Sequence, residues 1–185
     1  MKVAIHQSNF IPWFPFFYKM AMADLFIILC HVDFEKGGFQ NRYYLNEKEK
    51  WVTKSVKHGL DPIIDKEYTD GTKLLTLNMN WINAIRKTLK IETSIDFDYP
   101  TELTKTERLI DIIKHYGGTT YITCPNAKKK YLDEELIKSS GIDIEYMHCP
   151  KDLQIHTFEA FDKFGIDGCI KRLPRREKCQ KQLIS

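Results

Sequence analysis

The chain has 185 residues, of which 43% are hydrophobic and 29% charged, and its net charge is +3. These values exclude a chain that is disordered by composition, and no apolar run approaches the roughly 20 residues that a membrane-spanning helix needs. The five cysteines are scattered without a Cys-x-x-Cys pair, so neither a disulfide framework nor a zinc knuckle is indicated. The first residues lack the basic flank and cleavage site of a secretory signal, so we expect a cytoplasmic protein.

The amino-terminal segment predicts a strand, a helix and a second strand. Apolar runs at 3–5 and 25–29 read as buried strands, separated by a polar break and an aromatic helical stretch. In open α/β sheets the ligand lies beyond the carboxyl ends of the strands. The polar groups fall at those ends, and they are His6, Gln7, Asn9, His31 and Asp33.

The middle of the chain predicts a hairpin followed by two helices. Alternating runs joined by a polar turn indicate a β-hairpin at about 39–57, positioned to fold over the ligand edge. Apolar residues at three- and four-residue spacing predict a helix over 73–89. Residues 96–100 read as a loop, and a helix over 107–116 ends at a pair of glycines.

The last part of the chain continues the alternation of strands and helices. Strands are predicted at 119–123 and 142–147, with a helix over 133–140 between them. We therefore predict an α/β, Rossmann-like three-layer domain over 1–150, with a mostly parallel sheet and the inserted hairpin. Residues 151–185 are predicted to add a helix and a basic tail to the same domain.

Two predicted catalytic residues and a group of orienting residues follow the first two strands. His6 has the chemistry of an acid or base or of a phosphate ligand, although a histidine there can also simply bond a neighbouring carbonyl. Asp33 is the second catalytic candidate. Gln7 and Asn9 can orient a ligand or tie the turn together, and Trp13 can stack on a sugar or base or belong to the core.

Several basic residues are candidates for holding phosphate or carboxylate. Lys36 with Gly37 and Gly38 could cradle a phosphate, and Arg42 could bind one in bidentate fashion. The alternative for each is a solvated surface charge. Further substrate-binding candidates are Asn41, Lys54 and Lys128. No complete set of metal ligands is visible.

The adjacent residues Cys30 and His31 are not expected to form a nucleophilic pair. Neighbours in a strand face opposite sides of the sheet, which would keep the thiol and the imidazole apart. Pairing of Cys30 with His6 across neighbouring strands is geometrically open.

The opening block resembles the WbqC-like family of bacterial proteins. The residues that carry the resemblance are HQSNFIPWFPFFYKMAMADLFIIL and VDFEKGGFQNR, with looser similarity further along the chain. The resemblance implies a role in surface-polysaccharide (lipopolysaccharide O-antigen) biosynthesis, by transfer of an amino acid or acyl group to a nucleotide-linked amino sugar. It also implies other enzymes of that pathway as candidate partners.

The chain departs from the family pattern at the predicted ligand edge. Ser8 replaces a proline, Cys30 and His31 stand where aspartates are expected, and Asp33 stands where glutamine is usual. The segment between Thr69 and Lys73 is shortened.

A fainter likeness connects the chain to the nucleotidyltransferases that carry a histidine signature. It makes ATP with Mg²⁺ a candidate cofactor for carboxylate activation, although the signature histidine pair is missing here. The alternative function is a non-catalytic module that binds a sugar nucleotide or a partner enzyme. Nucleic-acid binding through the basic tail ranks last.

Overall fold

The computed structural model describes residues 1–59 and 61–174. Its strands are β1 (Lys2–Gln7), β2 (Leu25–Leu29), β3 (Arg42–Leu45), β4 (Lys50–Thr53), β5 (Ser94–Phe97), β6 (Thr120–Thr123) and β7 (Asp143–Tyr146). Its helices are α1 (Phe14–Met22), α2 (Leu74–Thr88), α3 (Lys105–His115), α4 (Ala127–Lys130), α5 (Glu134–Ser139) and α6 (Thr157–Arg172). Among the described residues, no helix combines the length and apolarity needed to cross a membrane.

Five strands form one parallel sheet in the order β5-β2-β1-β6-β7. The chain starts in the middle, moves outward through β2 to β5, and then returns to the other side of β1. This is the strand order of a Rossmann sheet, in which the two halves diverge at a switch point between β1 and the strand that starts the return. The predicted α/β fold with a mostly parallel sheet is confirmed.

The helices cover both faces of this sheet and make three layers. One face, formed by residues such as Ala4, Phe26 and Ile122, packs with apolar residues of α1, α2 and α6. The opposite face, which includes Val3 and Tyr121, packs against α3 and α5. Because side chains alternate along each strand, the two cores are separate and both are buried.

The predicted hairpin is also confirmed. Strands β3 and β4 pair antiparallel, with Arg42 opposite Thr53 and Leu45 opposite Lys50. They form a small second sheet between β2 and α2 in the chain. The amide of Phe10 donates to the carbonyl of Phe39 at 2.9 Å, which ties the segment before β3 to the loop after β1.

The prediction of a loop at 96–100 was wrong at its start. Residues Ser94–Phe97 form β5, which pairs with β2 from Leu25↔Ser94 to Ile28↔Phe97. This strand is an edge strand of four residues with little apolar side chain to bury, so its sequence carries almost no strand pattern. The consequence is that Asp98 follows the carboxyl end of a sheet strand.

The carboxyl-terminal segment contributes to the main core. The side chains of Leu153, Ala160 and Cys169 are buried with residues of α1 and the sheet, and the hydroxyl of Thr157 donates to the carbonyl of Pro12 at 2.6 Å. Lys171 and Arg172 end α6. The rest of the predicted basic tail, from residue 175, lies outside the described residues.

Candidate functional site

The ladders on the two sides of β1 end at different residues. Strand β1 pairs with β2 as far as Gln7↔Leu29, but with β6 only as far as Ala4↔Ile122. Residues Ile5, His6 and Gln7 therefore extend beyond the β1–β6 ladder. The carboxyl ends of the strands at this point are where Rossmann-type sheets hold their ligands.

Lys19 of α1 places its ammonium beside this end of β1. Its Nζ donates to the carbonyl of Ile5 at 2.8 Å and lies 5.8 Å from the centre of the Tyr121 ring on β6. The side chain is almost fully buried, and burial lowers the pKa of Lys19 to about 8. None of the ion pairs found among residues 1–59 and 61–174 includes Lys19.

His6 lies beside this lysine at the end of β1. Its Nδ1 is 3.0 Å from the carbonyl oxygen of Gln7, and its ring meets the edge of Phe16 at 5.0 Å. A carbonyl only accepts hydrogen bonds, so Nδ1 carries the proton and Nε2 the lone pair. Burial, and then the charge of Lys19, lower the pKa of His6 to about 4. At pH 7 the ring is neutral and a weak base, so the catalytic role of His6 stays a prediction.

The loop after β1 is joined to the base of the hairpin through buried amides. Gln7 accepts from the side chain of Gln40 at 2.7 Å, while Asn78 of α2 donates to the carbonyls of Ser8 (2.9 Å) and Gln40 (2.7 Å). The Oγ of Ser8 and the Oε1 of Gln40 are buried without a hydrogen-bond partner among the described residues. Asn9 is half-buried in the same loop. Buried polar atoms without partners are costly, so this loop has unused capacity to bind a polar ligand.

The predicted phosphate cradle is largely engaged within its own loop. Arg42 donates to the carbonyls of Gly37 and Gly38, and its guanidinium stacks over Trp51 at 4.1 Å from the ring centre. The amide of Gly38 donates to the carbonyl of Glu35 at 2.9 Å. A phosphate could use Lys36, which is exposed, but would compete with internal bonds for the other groups.

The aromatic candidate Trp13 belongs to a row of rings that runs onto the hairpin. Its ring contacts Phe39 at 6.1 Å, and Phe39 contacts Trp51 at 5.7 Å. Phe39 and Trp51 are both exposed. Trp13 is half-buried, with its indole N–H unpartnered among the described residues, so its stacking role stays a prediction.

The remaining candidates lie in other local contacts. Asn41 donates to the carbonyl of Lys54 at 2.9 Å, Lys54 pairs with Asp70, and Lys128 pairs with Glu134 at 3.1 Å. Asp33 is exposed, and no hydrogen bond or ion pair in the described part of the chain joins it to His6. The fold therefore does not bring these side chains together at one site.

A second polar centre follows β2 and β5. One carboxylate oxygen of Asp98, Oδ1, accepts from the amides of Cys30 (2.7 Å) and His31 (3.0 Å) and lies 3.1 Å from His31 Nδ1. The other oxygen pairs with Arg108 of α3. Burial alone would raise the pKa of Asp98, but the two amides and Arg108 outweigh it and lower the pKa, so the carboxylate is ionised.

The expectation that Cys30 and His31 cannot meet was wrong. Strand β2 ends at Leu29, so these two residues do not alternate as strand residues, and the Cys30 sulfur lies 3.4 Å from His31 Nδ1. They still do not form a nucleophilic pair. Burial, and then the bond to Asp98, raise the pKa of Cys30 to about 12, which keeps the thiol protonated.

Cys30, His31 and Asp98 bring three potential metal-ligand atoms within 4.8 Å of one another. A metal would have to displace the thiol proton and the amide donors of Asp98, in a place where Arg108 already supplies positive charge. A thiol-containing set also suits soft ions rather than Mg²⁺. We therefore interpret the centre as a metal-free hydrogen-bond network.

Sequence reasoning missed the three residues that organise this edge of the sheet. Lys19 was detectable as the lone charge within an apolar helical run, with Phe16, Phe17 and Met20 as near neighbours. Asp98 was hidden because β5 was not recognised. No sequence pattern identified Asn78, because its role depends on hydrogen bonds to Ser8 and Gln40, which are distant in the chain.

These features define a class: α/β proteins with Rossmann strand order and polar side chains at the switch point. Within that class, residues 7–70 and 53–163 match the model of the WbqC-like protein family, and the chain belongs to that family. It is also 27% identical over 188 aligned positions to the uncharacterized protein Rv1507c of Mycobacterium tuberculosis, covering 78% of this chain and 81% of that protein. No solved structure gives a significant match.

Proposed function

We propose that this chain is a transferase of surface-polysaccharide biosynthesis that moves an amino acid or acyl group onto a nucleotide-linked amino sugar. The anionic part of the sugar nucleotide lies at the switch point, between the ends of β1 and β6. Membership of the WbqC-like family and the Rossmann strand order both support this assignment.

The observation that carries the proposal is the buried ammonium of Lys19. Buried charges in proteins are normally paired, and leaving one without a counter-charge is costly. Lys19 has the carbonyl of Ile5 as its acceptor but no carboxylate within ion-pair distance among the described residues. A diphosphate supplies the missing negative charge.

The donor is an activated carboxylate. ATP with Mg²⁺ stays the candidate for its activation, and the diphosphate itself would provide oxygen ligands for the ion. The amino acid or acyl donor, the nucleotide-linked amino sugar and other enzymes of the pathway are the partners under this proposal.

Calorimetric titration with UDP- and dTDP-linked amino sugars tests the binding step. We expect binding by the unmodified protein and a loss of affinity of about tenfold or more in Lys19→Met, since a charge-assisted bond contributes roughly 1.5–3 kcal/mol. Lys87→Met is the matched control, because Lys87 is exposed on α2. Equal affinities of the two variants would contradict the assignment of the anion to Lys19, and no binding of any sugar nucleotide would contradict the function.

A non-catalytic binding module is the second candidate, and one observation favours it. His6, the predicted acid or base, is a weak base because its pKa is lowered to about 4, and it has no carboxylate partner among the described residues. Incubation with an amino sugar nucleotide, ATP, Mg²⁺ and an amino acid mixture, followed by mass spectrometry, separates the two candidates. A product heavier by one aminoacyl group supports the transferase, whereas tight binding without product supports the module.

A further inference from the structure

We propose that His31 accepts the proton of the acceptor amine during transfer, and that Asp98 positions it for this task. The inference rests on the proposed function and replaces His6 by His31 as the proton acceptor. It is drawn from the hydrogen bonds that surround Asp98.

Asp98 determines which nitrogen of His31 is free. Its ionised carboxylate can only accept hydrogen bonds, and its Oδ1 lies 3.1 Å from His31 Nδ1. Nδ1 therefore carries the proton, and Nε2 keeps its lone pair. This is the arrangement in which a carboxylate orients a histidine base and stabilises the imidazolium that forms when the base is protonated.

The carboxylate is itself firmly held. It accepts from the backbone amides of Cys30 and His31, from the Cys30 thiol at 3.3 Å, and from the guanidinium of Arg108. Arg108 also donates to the carbonyl of His31 at 3.1 Å. These contacts hold the backbone of His31 and the Nδ1 side of its ring.

His31 lies at the ligand edge of the sheet. His31 follows the carboxyl end of β2, whose last residue, Leu29, pairs with Gln7 at the end of β1. The side chain of His31 is 23% exposed, whereas Asp98 and Cys30 are buried, so the imidazole is the accessible member of this centre.

The hydrogen-bond acceptor at Nδ1 of His6 is uncharged, unlike the carboxylate at Nδ1 of His31. The Nδ1–H of His6 donates to the neutral carbonyl of Gln7, and Lys19 places a positive charge nearby. The positive charge of Lys19 thus opposes protonation of His6. His31, in contrast, has a carboxylate oxygen rather than a neutral carbonyl on its Nδ1 side.

The transfer step balances with His31 in this role. The nitrogen of the amino sugar attacks the carbonyl carbon of an activated acyl donor, either an acyl phosphate ester or a thioester. A C–N bond forms, the bond from carbon to the leaving oxygen or sulfur breaks, and the electron pair departs with that group. The proton lost by the amine goes to Nε2 of His31.

Nitrogen-detected NMR of the unmodified protein at pH 7 tests the tautomer first. We expect the ¹⁵N signals of His31 to show a protonated Nδ1 and an unprotonated Nε2. A protonated Nε2 in the neutral ring would overturn the proposal, and this measurement needs no variant that could fail to fold.

Reaction with diethyl pyrocarbonate, mapped residue by residue by mass spectrometry, then tests reactivity. This reagent modifies unprotonated imidazole nitrogen, and we propose that Nε2 of His31 is free and accessible, so His31 should react at least about tenfold faster than His6. Reaction of His31 no faster than that of His6 would contradict the proposal. Protection of His31 by a UDP-linked amino sugar is expected, and protection of His6 alone would also overturn it.

The His31→Gln variant separates failure of this inference from failure of the function. We expect transfer to slow by about a hundredfold or more, the usual contribution of a general base, with sugar-nucleotide affinity within about twofold of the unmodified protein. Transfer at the normal rate by this variant would contradict the role of His31 but not the proposed function. If the unmodified protein neither binds a sugar nucleotide nor forms product, the proposed function itself is contradicted.

Discussion

The ammonium of Lys19 lies 2.8 Å from the carbonyl oxygen of Ile5, in the position that an amide of β6 would otherwise occupy. The carbonyl of Met1 accepts from the amide of Thr119 just before β6, whereas the carbonyl of Lys2 accepts from Asp24 on the β2 side. Carbonyls alternate sides along a strand, so that of Ile5 faces β6. A side chain thus takes the place of a backbone donor at the residue where the β1–β6 ladder has ended.

Replacement of Lys19 by methionine should change how stability depends on pH. The pKa of Lys19 is lowered from 10.5 to about 8, so between these values the unfolded chain binds more protons than the folded one. Stability from this group therefore rises with pH through that window, by roughly 3 kcal/mol in all. Urea denaturation at pH 7.5 and 10 should show the unmodified protein gaining stability relative to Lys19→Met.

The Lys87→Met variant is the control for this measurement, because Lys87 is exposed on α2. Its difference from the unmodified protein should stay constant with pH. A Lys19→Met difference that is equally constant would mean that the ammonium is not buried as described.

His6 should make the protein sensitive to mild acid. Its pKa is lowered from 6.5 to about 4, so protonation favours the unfolded chain. The stability that depends on a neutral His6 is complete above pH 6.5 and is lost as the pH falls toward 4, by about 2 kcal/mol after allowance for partial exposure. Thermal unfolding of the unmodified protein and of His6→Gln at pH 7 and 4.5 measures this loss.

We expect the stability difference between the two proteins to shrink at pH 4.5, because glutamine does not titrate in this range. Replacement of the exposed His58 by glutamine should leave the pH dependence unchanged. If His6→Gln loses as much stability in acid as the unmodified protein, the neutral state of His6 is not the cause.

The order of strands and helices could be predicted, but the residues that build the site could not. Buried apolar runs such as 3–5 and 25–29 identify parallel strands because both of their faces are covered. Strand β5 escaped notice because Ser94 and Asp96 face solvent at a sheet edge. The hydrophobic pattern of a sequence indicates which residues are buried. An exposed edge strand buries few side chains, so its sequence shows little pattern.

Contacts between distant parts of the chain explain the other differences. Cys30 and Asp98 are 68 positions apart, and their hydrogen bond exists only because β2 and β5 are neighbours in the sheet. The predicted site residues that follow β1 lie at the carboxyl edge of the sheet. The alternation of strands and helices in the sequence was enough to predict this. Arg42 was predicted as a ligand group, but its bonds to the carbonyls of Gly37 and Gly38 follow from the conformation of a single loop.

Asn78 should be among the most sensitive positions for stability. It donates to the carbonyls of Ser8 and Gln40 and accepts from the hydroxyl of Tyr68 at 2.9 Å, all in buried surroundings. Asn78→Ala leaves these three groups without their partner, which should cost about 3 kcal/mol in the free energy of unfolding. Urea denaturation provides the value.

Asn80→Ala is the matched control, since Asn80 is exposed on the same helix. It should change stability by less than about 0.5 kcal/mol. If both variants lose the same small amount, Asn78 does not connect the loop after β1 to the hairpin as we describe.

Asp98 holds the ends of β2 and β5 together, and its neutral isostere should weaken this junction. Asp98→Asn removes the charge that two amides and Arg108 require, and it leaves the guanidinium beside a neutral amide. Loss of one partner of a buried ion pair typically costs about 3–5 kcal/mol. Asp96→Asn is the control, because Asp96 is exposed on β5, and it should leave the free energy of unfolding nearly unchanged in urea denaturation.

The double variant Asp98→Asn with Arg108→Met should recover part of the loss, because it removes the uncompensated guanidinium. A double variant no more stable than Asp98→Asn would show that the amides of Cys30 and His31, rather than Arg108, account for the role of Asp98 in stability.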